Sequence, residues 1–271
     1  MLVTKSAFLA GMVAPETAAC LSRQLQVSDT EYSRIIDGHN TVLEVLEDAA
    51  NLASTQSTLE EIAELRRRLI AALAHYYQLV QTQPLSDGNG AMARLIAHIH
   101  FAQIGLHPQL WSLSRGITHR PEEYHAALGI TGGTQERQLA GGFQRTDKAS
   151  LTFIEFMLDV CHEEVDYMTT ALNRHQLRES VDHAYRTNSR LTEAGVRLET
   201  MPALLTLLIQ GALPRSEFVT FTGLPPEVAS DQLNRLINLG IVMSPPSNHQ
   251  KLGVGLPAWL AQVLLPDFHL A

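Results

Sequence analysis

The sequence predicts a mainly α-helical protein with two domains, a helical bundle over residues 1–198 and a smaller unit over residues 199–271. Three observations predict this architecture. Apolar residues recur at helical spacing through much of the chain, and glycine-rich and proline-rich segments separate these periodic stretches. The C-terminal unit alternates short helical segments with a hairpin pattern. The clearest helical periodicity runs through Leu65, Leu69, Leu73, Tyr76 and Leu79.

The composition is that of a globular protein from a reducing compartment. The chain has 271 residues, 45% of them hydrophobic, so a sizeable core can form in one or two domains. Its 28 acidic and 20 basic side chains argue against a protein that coats nucleic acid or anionic membrane. Two cysteines cannot make a disulfide framework. No apolar run reaches the roughly 20 residues of a membrane span, and we expect a cytoplasmic protein.

The N-terminal region predicts helices with clear end signals. An amphipathic helix is expected near the N-terminus. Ser28 and Asp29 are the predicted N-cap of the next helix, which should end near Asp37, where Gly38 follows. A further helix is expected over residues 41–52.

Two helices flank a glycine-rich turn in the middle of the bundle. Ser57 with Glu60 three residues later is a capping box that predicts the start of the first helix. That helix should stop before Pro84. Residues 86–90 read Ser-Asp-Gly-Asn-Gly, a pattern typical of a tight turn. An apolar helix is predicted from Ala91 to near Gly105.

The second half of the chain predicts longer helices and then a compact unit. Between residues 111 and 142 only a short helix over 121–128 is expected, followed by an amphipathic helix through Phe153 and Met168 and a more polar helix over 177–198. The C-terminal unit has the plan of a winged helix. Its predicted parts are an apolar helix over 201–211, a short helix over 215–222, a turn over 223–226, a helix over 227–239 and a β-wing from residue 241 to 256.

The glycine-rich turn is the strongest candidate for chemistry. A turn of this kind that opens a helix presents free backbone N–H groups, which can bind an anion. Asp87 beside it could hold Mg²⁺ together with phosphate oxygens, and Arg94 one turn further along the helix could reach a terminal phosphate. The alternative interpretation is an ordinary surface turn, which is what such a sequence more often forms.

One segment of the chain resembles a known family. Residues 75–94, HYYQLVQTQPLSDGNGAMAR, are similar to the core of the Fic (Fic/Doc) family, whose signature is His-x-Phe-x-Asp/Glu-Gly-Asn-Gly-Arg-x-x-Arg. Residues 32–38 resemble the family's inhibitory helix motif, Ser/Thr-x-x-x-Glu-Gly/Asn. Three further parts of the chain also resemble family segments, namely residues 113–116, Tyr124 and residues 151–156. Many bacterial members carry a C-terminal winged helix, so the resemblance covers most of the chain and implies a Fic-type helical bundle followed by that domain.

Family members typically transfer AMP from ATP to a hydroxyl of a target protein, and the resemblance implies a role for each matching residue. Asp87 matches the Mg²⁺ ligand. Ser33 and Asp37 match the inhibitory motif, and we expect Asp37 to pair with Arg94. ATP and Mg²⁺ are the implied cofactors. The implied nucleotide-binding residues are Gly88, Asn89, Gly90, Arg94 and Tyr124.

The departures from the signature are as informative as the matches. Gln83 stands at the position of the catalytic histidine, Leu85 replaces the phenylalanine and Ala91 replaces the first arginine. Glutamine cannot accept a proton from a target hydroxyl, and the loss of a general base typically lowers the rate about 10²–10⁴-fold, or roughly 3–5 kcal/mol of barrier. There is also little room between residues 40 and 82 for the β-hairpin flap that aligns targets in the family.

Three functions follow as alternatives. The favoured one is a degenerate Fic protein, with little or no transferase activity, that works by binding a nucleotide or a partner, either another protein or a second copy. The second is an active nucleotidyl or phosphoryl transferase with a non-standard base, for which His98 is a candidate beside its ordinary interpretation as a core residue. The third is a DNA-binding regulator, which is disfavoured because residues 201–271 carry three basic against four acidic side chains.

Overall fold

The computed structural model describes residues 1–38, 59–129, 143–245 and 250–268, and it confirms a mainly α-helical chain. Two compact units emerge from its contacts. Unit 1 comprises Met1–Ala7 and Asp29–Asp166, and unit 2 comprises Phe8–Ser28 and Tyr167–Ala271. The predicted boundary between residues 198 and 199 does not coincide with this division, because it falls inside unit 2.

Seven helices are described in the first part of the chain, and a 3₁₀ turn at Pro108–Leu110 accompanies them. Helix α2 begins in unit 2 and ends in unit 1, and α7 begins in unit 1 and ends in unit 2. The helices are α1 (Leu2–Met12), α2 (Pro15–Asp37), α3 (Leu59–Thr82), α4 (Asn89–Gln103), α5 (Leu113–His119), α6 (Pro121–Ala127) and α7 (Phe143–Ala171).

The remaining elements belong to unit 2 and combine six helices with three short strands, within the described ranges. A 3₁₀ turn at Leu198–Thr200 precedes the third of these helices. The helices are α8 (Arg174–Thr187), α9 (Ser189–Glu193), α10 (Met201–Gln210), α11 (Arg215–Thr222), α12 (Pro226–Asn238) and α13 (Ala258–Leu264). The strands are β1 (Ala212–Pro214), β2 (Val242–Met243) and β3 (Lys251–Val254).

Aromatic packing joins α3 and α7 in the core of unit 1. Tyr76 and Tyr77 lie on α3, and their ring centroids are 5.4 and 5.3 Å from that of Phe153 on α7. Phe101 of α4 stacks on Trp111 at 5.8 Å. Four of these five residues are at least 98% buried and Tyr77 is 93% buried, so both groups of rings belong to the core of unit 1, beside the helices α3 and α4 that flank the glycine-rich turn.

The sheet of unit 2 is small and antiparallel, with strand order β1-β3-β2. Leu213 pairs with Leu252, and Val242 pairs with Val254. These four side chains are buried, so one face of the sheet contributes to the core of this unit. Strand β1 and helix α13 were not predicted from the sequence.

The start of α2 corrects one prediction. Ser28 does not cap a helix, because α2 begins at Pro15 and continues past it, and the Ser28 side chain is fully buried. Proline fits the first position of a helix, and Glu16 in the first turn complements the helix dipole. The predicted end at Asp37 is confirmed, with Gly38 at a φ of +70°. The predicted helix over residues 41–52 and the cap at Ser57 lie outside the described residues.

A second correction concerns the polar helix predicted over residues 177–198. Asn188 interrupts it with an extended ψ of 118°. Its side chain accepts a hydrogen bond from the backbone N–H of Arg190 at 3.0 Å and so caps the short helix α9. The predicted single helix is therefore two helices. Among the residues that the structure describes, no helix combines the length and apolar character needed to cross a membrane.

Candidate functional site

A cleft of about 530 Å³ in unit 1 brings most of the predicted site residues together. Asp37 borders it from the end of α2, Gln83 follows α3, and Tyr124 lies on α6. The turn over residues 86–90 forms another wall. Residues that are distant in the sequence thus line the same cleft. The other lining residues are Ile36, Val80, His125 and Leu128.

The end of α3 sets the direction of the chain into the turn. Gln83 adopts a left-handed φ of +46°, and its backbone N–H donates to the carbonyl of Leu79 at 3.1 Å, which closes the last helical turn. Pro84 follows and cannot donate a further helical hydrogen bond. The helix therefore stops where the sequence predicts, and residue 83 is placed at the cleft.

The glycine-rich turn is held by its own hydrogen bonds. The Asn89 side chain accepts from the backbone N–H of Leu85 and donates to the Leu85 carbonyl, both at 2.9 Å. The Asp87 carboxylate accepts from the N–H of Gly88 at 2.7 Å. Gly88, with φ 73° and ψ 18°, is the N-cap residue of α4. The positive end of the α4 dipole therefore borders the cleft.

Arg94 is bound to Ser33 and Asp37, the two residues that resemble an inhibitory motif in the sequence. Its Nη2 atom donates to Asp37 Oδ2 at 2.6 Å and to Ser33 Oγ at 2.6 Å. A third bond runs to the backbone carbonyl of Ser33 at 3.3 Å. The side chain of Arg94 is only 4% exposed and that of Asp37 is 16% exposed. The expected pairing of Asp37 with Arg94 is therefore present and mostly shielded from water.

Gly90 explains how the Asp37 carboxylate reaches the start of α4. A Cβ atom at position 90 would overlap Oδ1 of Asp37, closer than real Cβ atoms approach, and would lie 3.2 Å from Arg94 Nη1. The glycine leaves this space to the carboxylate. An anionic group therefore already rests against the first turn of α4, where the helix dipole favours negative charge.

A tyrosine pair lies next to this ion pair. The hydroxyls of Tyr76 and Tyr124 are 2.9 Å apart, and both side chains are buried. Burial raises the pKa of Tyr76 and raises that of Tyr124 well above its usual value. Both hydroxyls are therefore neutral at physiological pH. Tyr124, predicted to contact a nucleotide, borders the cleft with its hydroxyl bound to Tyr76. Sequence reasoning placed Tyr76 only in the apolar periodicity of a helix.

Two histidines, His98 and His125, line two different pockets of unit 1. His98, the candidate replacement base, lies in a separate small pocket beside Asp29, Trp111 and Ser114, away from Gln83. Burial lowers its pKa. His125, which sequence reasoning missed, lines the cleft itself. Its only sequence signal is its place beside Tyr124 on a predicted short helix.

Position 91 is closed to a long side chain. Ala91, at the place where the resemblance expects the first motif arginine, is 1% exposed and does not line the cleft. An arginine there would have to be buried, at a considerable desolvation cost. The cleft therefore has Asp87 and the start of α4 for binding polar ligands, but no cation from position 91.

Comparison with protein-family models gave no match, and comparison with curated protein sequences gave none either. Within the described ranges, no group of three or more His, Cys, Asp or Glu side chains is arranged to hold a metal ion. Among the residues described, two carboxylates line the cleft, and because Asp37 is bound to Arg94, Asp87 is the one left for a cation that takes most of its ligands from a phosphate and water.

Proposed function

We propose that this chain is a Fic-like protein that binds ATP with Mg²⁺ in the cleft of unit 1 and transfers AMP weakly or not at all. The observation that carries the proposal is the meeting of Asp37, Gln83, Tyr124 and the turn over residues 86–90 around one cleft. These are the positions that the family resemblance links to a nucleotide site, although they lie far apart in the sequence.

The position of the Asp37 carboxylate supports an anion at this place. It lies against Gly90 at the start of α4 and receives a hydrogen bond from Arg94. A phosphate group has the same sign of charge and accepts from the same kinds of donor. Asp37 thus stands in for a phosphate, and a nucleotide whose terminal phosphate reaches Arg94 would have to displace it.

The cleft also fits the implied cation. Asp87 lines the cleft and is exposed, and one of its oxygens is bound to the N–H of Gly88. Mg²⁺ commonly binds through one or two carboxylates together with phosphate oxygens. When bound there, it would neutralise part of the charge on the phosphates. Asp87 would hold it on the protein side, and the N–H groups at the start of α4 would orient the phosphates.

The same residues argue for weak catalysis. No group that could take the proton of a target hydroxyl stands at position 83, because an amide is not basic. His98 lies in another pocket, and position 91 offers no cation. An active transferase with a non-standard base is therefore the second candidate, with His125 as the histidine that lines the cleft.

The test is calorimetric titration of ATP and Mg²⁺ into the wild type, Asp37→Asn and a matched control. Glu31→Gln is that control, because Glu31 also lies on α2 and pairs with an arginine, Arg34, but at an exposed surface. We expect Asp37→Asn to bind about tenfold more tightly than the wild type, a gain of about 1.4 kcal/mol, because the competing carboxylate has lost its charge. Glu31→Gln should match the wild type.

Two outcomes would overturn the proposal. Absence of binding in all three folded proteins would show that the cleft does not take a nucleotide. Equal affinity in the wild type and Asp37→Asn would show that Asp37 does not compete with the phosphate. Transfer of AMP by the wild type, lost in His125→Ala, would favour the second candidate over the first.

For the C-terminal unit, we propose a winged helix that docks a protein or a second copy of the chain rather than DNA. The order of α10, β1, α11, α12, β2 and β3 supports that fold. Glu227 and Asp231 are exposed on α12, and Arg235 of the same helix is bound to Asp231 Oδ2 at 2.8 Å and to the Ala194 carbonyl at 2.5 Å. Such a helix offers no free cation for phosphates. A mobility shift of genomic DNA fragments at moderate salt would contradict this proposal.

A further inference from the structure

A pair of histidines lies on unit 1 outside the cleft. His75 is on α3 and His100 is on α4, the two helices that lead into and out of the glycine-rich turn. Nδ1 of His75 and Nε2 of His100 are 3.4 Å apart, and the two ring planes are tilted by 58°. The proposed nucleotide site uses neither residue.

The separation of the two nitrogens is long for a hydrogen bond but fits a shared metal ion. Hydrogen bonds from nitrogen usually span about 2.7–3.2 Å. Two imidazole nitrogens bound to one tetrahedral Zn²⁺ at about 2.0–2.1 Å must be about 3.3–3.4 Å apart. The observed 3.4 Å equals that tetrahedral edge. Little movement of either helix is therefore needed to place both nitrogens around one ion.

We propose that His75 and His100 form a two-histidine site for a divalent transition metal ion, with Zn²⁺ as the expected occupant. Imidazole nitrogen suits Zn²⁺ and similar ions, whereas hard cations such as Mg²⁺ prefer oxygen. His75 is exposed, so a hydrated ion can reach the pair, and water would complete the coordination. The ion would link α3 to α4 on either side of the turn.

The site is expected to have two protein ligands. Within the described ranges no third His, Cys, Asp or Glu joins the pair in a metal-binding group. Three residues after each histidine, one helical turn away, stands an exposed glutamine, Gln78 on α3 and Gln103 on α4. Their side chains are amides and not imidazoles, thiols or carboxylates. Binding should therefore be weaker than in a closed structural zinc site and readily reversed by a chelator.

The test uses Zn²⁺ alone as the probe, without nucleotide, on the full chain. Calorimetry and thermal unfolding are compared for the wild type, His75→Gln, His100→Gln and the control His175→Gln. His175 is an exposed histidine on α8 next to Glu179. We expect the wild type and the control to bind one more Zn²⁺ ion than either pair variant. If the number of ions is the same, the wild type and the control should bind Zn²⁺ at least about 10–100-fold more tightly than the pair variants. Zn²⁺ should also raise the melting temperature of the wild type and the control by more than that of the pair variants.

The same number of Zn²⁺ ions, the same affinity and the same thermal shift in the wild type and both pair variants would overturn the proposal. Circular dichroism of the metal-free proteins checks for a folding defect, which is not expected because His75 is exposed and His100 is only half-buried. Because no nucleotide is present, the result does not depend on the proposed function of the cleft.

Discussion

The carboxylate of Asp37 packs against Gly90, in the space that a Cβ atom would occupy. The residue at position 90 therefore decides whether the end of α2 can approach the start of α4. Gly90 has no positive φ, so its importance lies in this close approach rather than in an unusual backbone conformation. This contact leads to the first prediction.

Gly90→Ala should destabilise the wild type by about 1–3 kcal/mol, because the added methyl group collides with Asp37. In an Asp37→Ala background the collision with the carboxylate is gone, and the remaining close neighbour, Arg94 Nη1 at 3.2 Å, is the end of a long side chain that can shift. The same substitution should then stabilise the protein by up to about 1 kcal/mol, because alanine favours a helix more than glycine does. Urea unfolding measures the change in the free energy of unfolding caused by Gly90→Ala in each background. Gly11→Ala in α1 is the control, because nothing lies within 4 Å of its added Cβ, and it should stabilise slightly. The same sign of effect in both backgrounds would contradict the prediction.

Arg94→Ala should destabilise the protein by about 3 kcal/mol, because it leaves a largely buried carboxylate without its partner. Arg34→Ala removes the partner of Glu31 at an exposed surface and should cost less than about 1 kcal/mol. Denaturant unfolding of the two variants gives the comparison. Equal losses would mean that the shielded position of the Arg94 pair adds nothing to its strength.

Glu164 should make stability depend on pH. Burial raises the pKa of its carboxyl to about 7. Arg115, whose Nε lies 2.9 Å from Oε2 of Glu164, opposes this rise because it favours the ionised carboxylate. Between about pH 4.5 and 7 the folded protein then binds more protons than the unfolded chain, so stability should fall as pH rises, by at most about 1.4 kcal/mol per unit.

The measurement for Glu164 is the free energy of unfolding at several pH values in Glu164→Gln, with Glu155→Gln as the control. Glu155 is an exposed glutamate on the same helix, α7. The fall with pH should be smaller in Glu164→Gln than in the wild type and unchanged in the control. Parallel pH profiles for all three proteins would rule out the assigned role of Glu164.

If the proposed Fic-like function is correct and the absence of a base at position 83 limits it, Gln83→His should introduce AMP transfer or raise its rate about 10²-fold or more. Histidine tolerates the left-handed backbone at this position better than most residues. Transfer is followed with ATP labelled at the α-phosphate. Gln103→His, an exposed change on α4 outside the cleft, is the control. No gain in Gln83→His would point instead to position 91 or to target alignment as the limiting loss.

The local signals in the sequence located most helix ends near the cleft. Pro84 predicted the end of α3, and Gly38 predicted the end of α2, because proline and glycine act on the backbone of their own segment. The predicted N-cap at Ser28 was wrong because a local signal was considered without its wider context. Serine is a frequent cap, but here it lies within a helix that Pro15 had already begun, and its burial depends on distant packing.

Most residues that line the candidate cleft were named from the sequence, but their arrangement was not predictable. The family resemblance linked Asp37 to Arg94, and that pair is present in the structure. The hydroxyl contact of Tyr76 with Tyr124 and the place of His125 at the cleft arise from the packing of helices that are far apart in the sequence. No local pattern encodes such contacts. The close approach at Gly90 likewise depends on where α2 ends relative to α4.

The paired hydrogen bonds between Asn89 and Leu85 have a consequence for the speed of binding. They close the glycine-rich turn while the chain folds, so the entropy of ordering that loop is lost then and not when a ligand arrives. An anion entering the cleft meets donors that are already oriented. Its association should therefore be limited by the departure of the Asp37 side chain from Arg94, a single side-chain rotation, rather than by rearrangement of the turn.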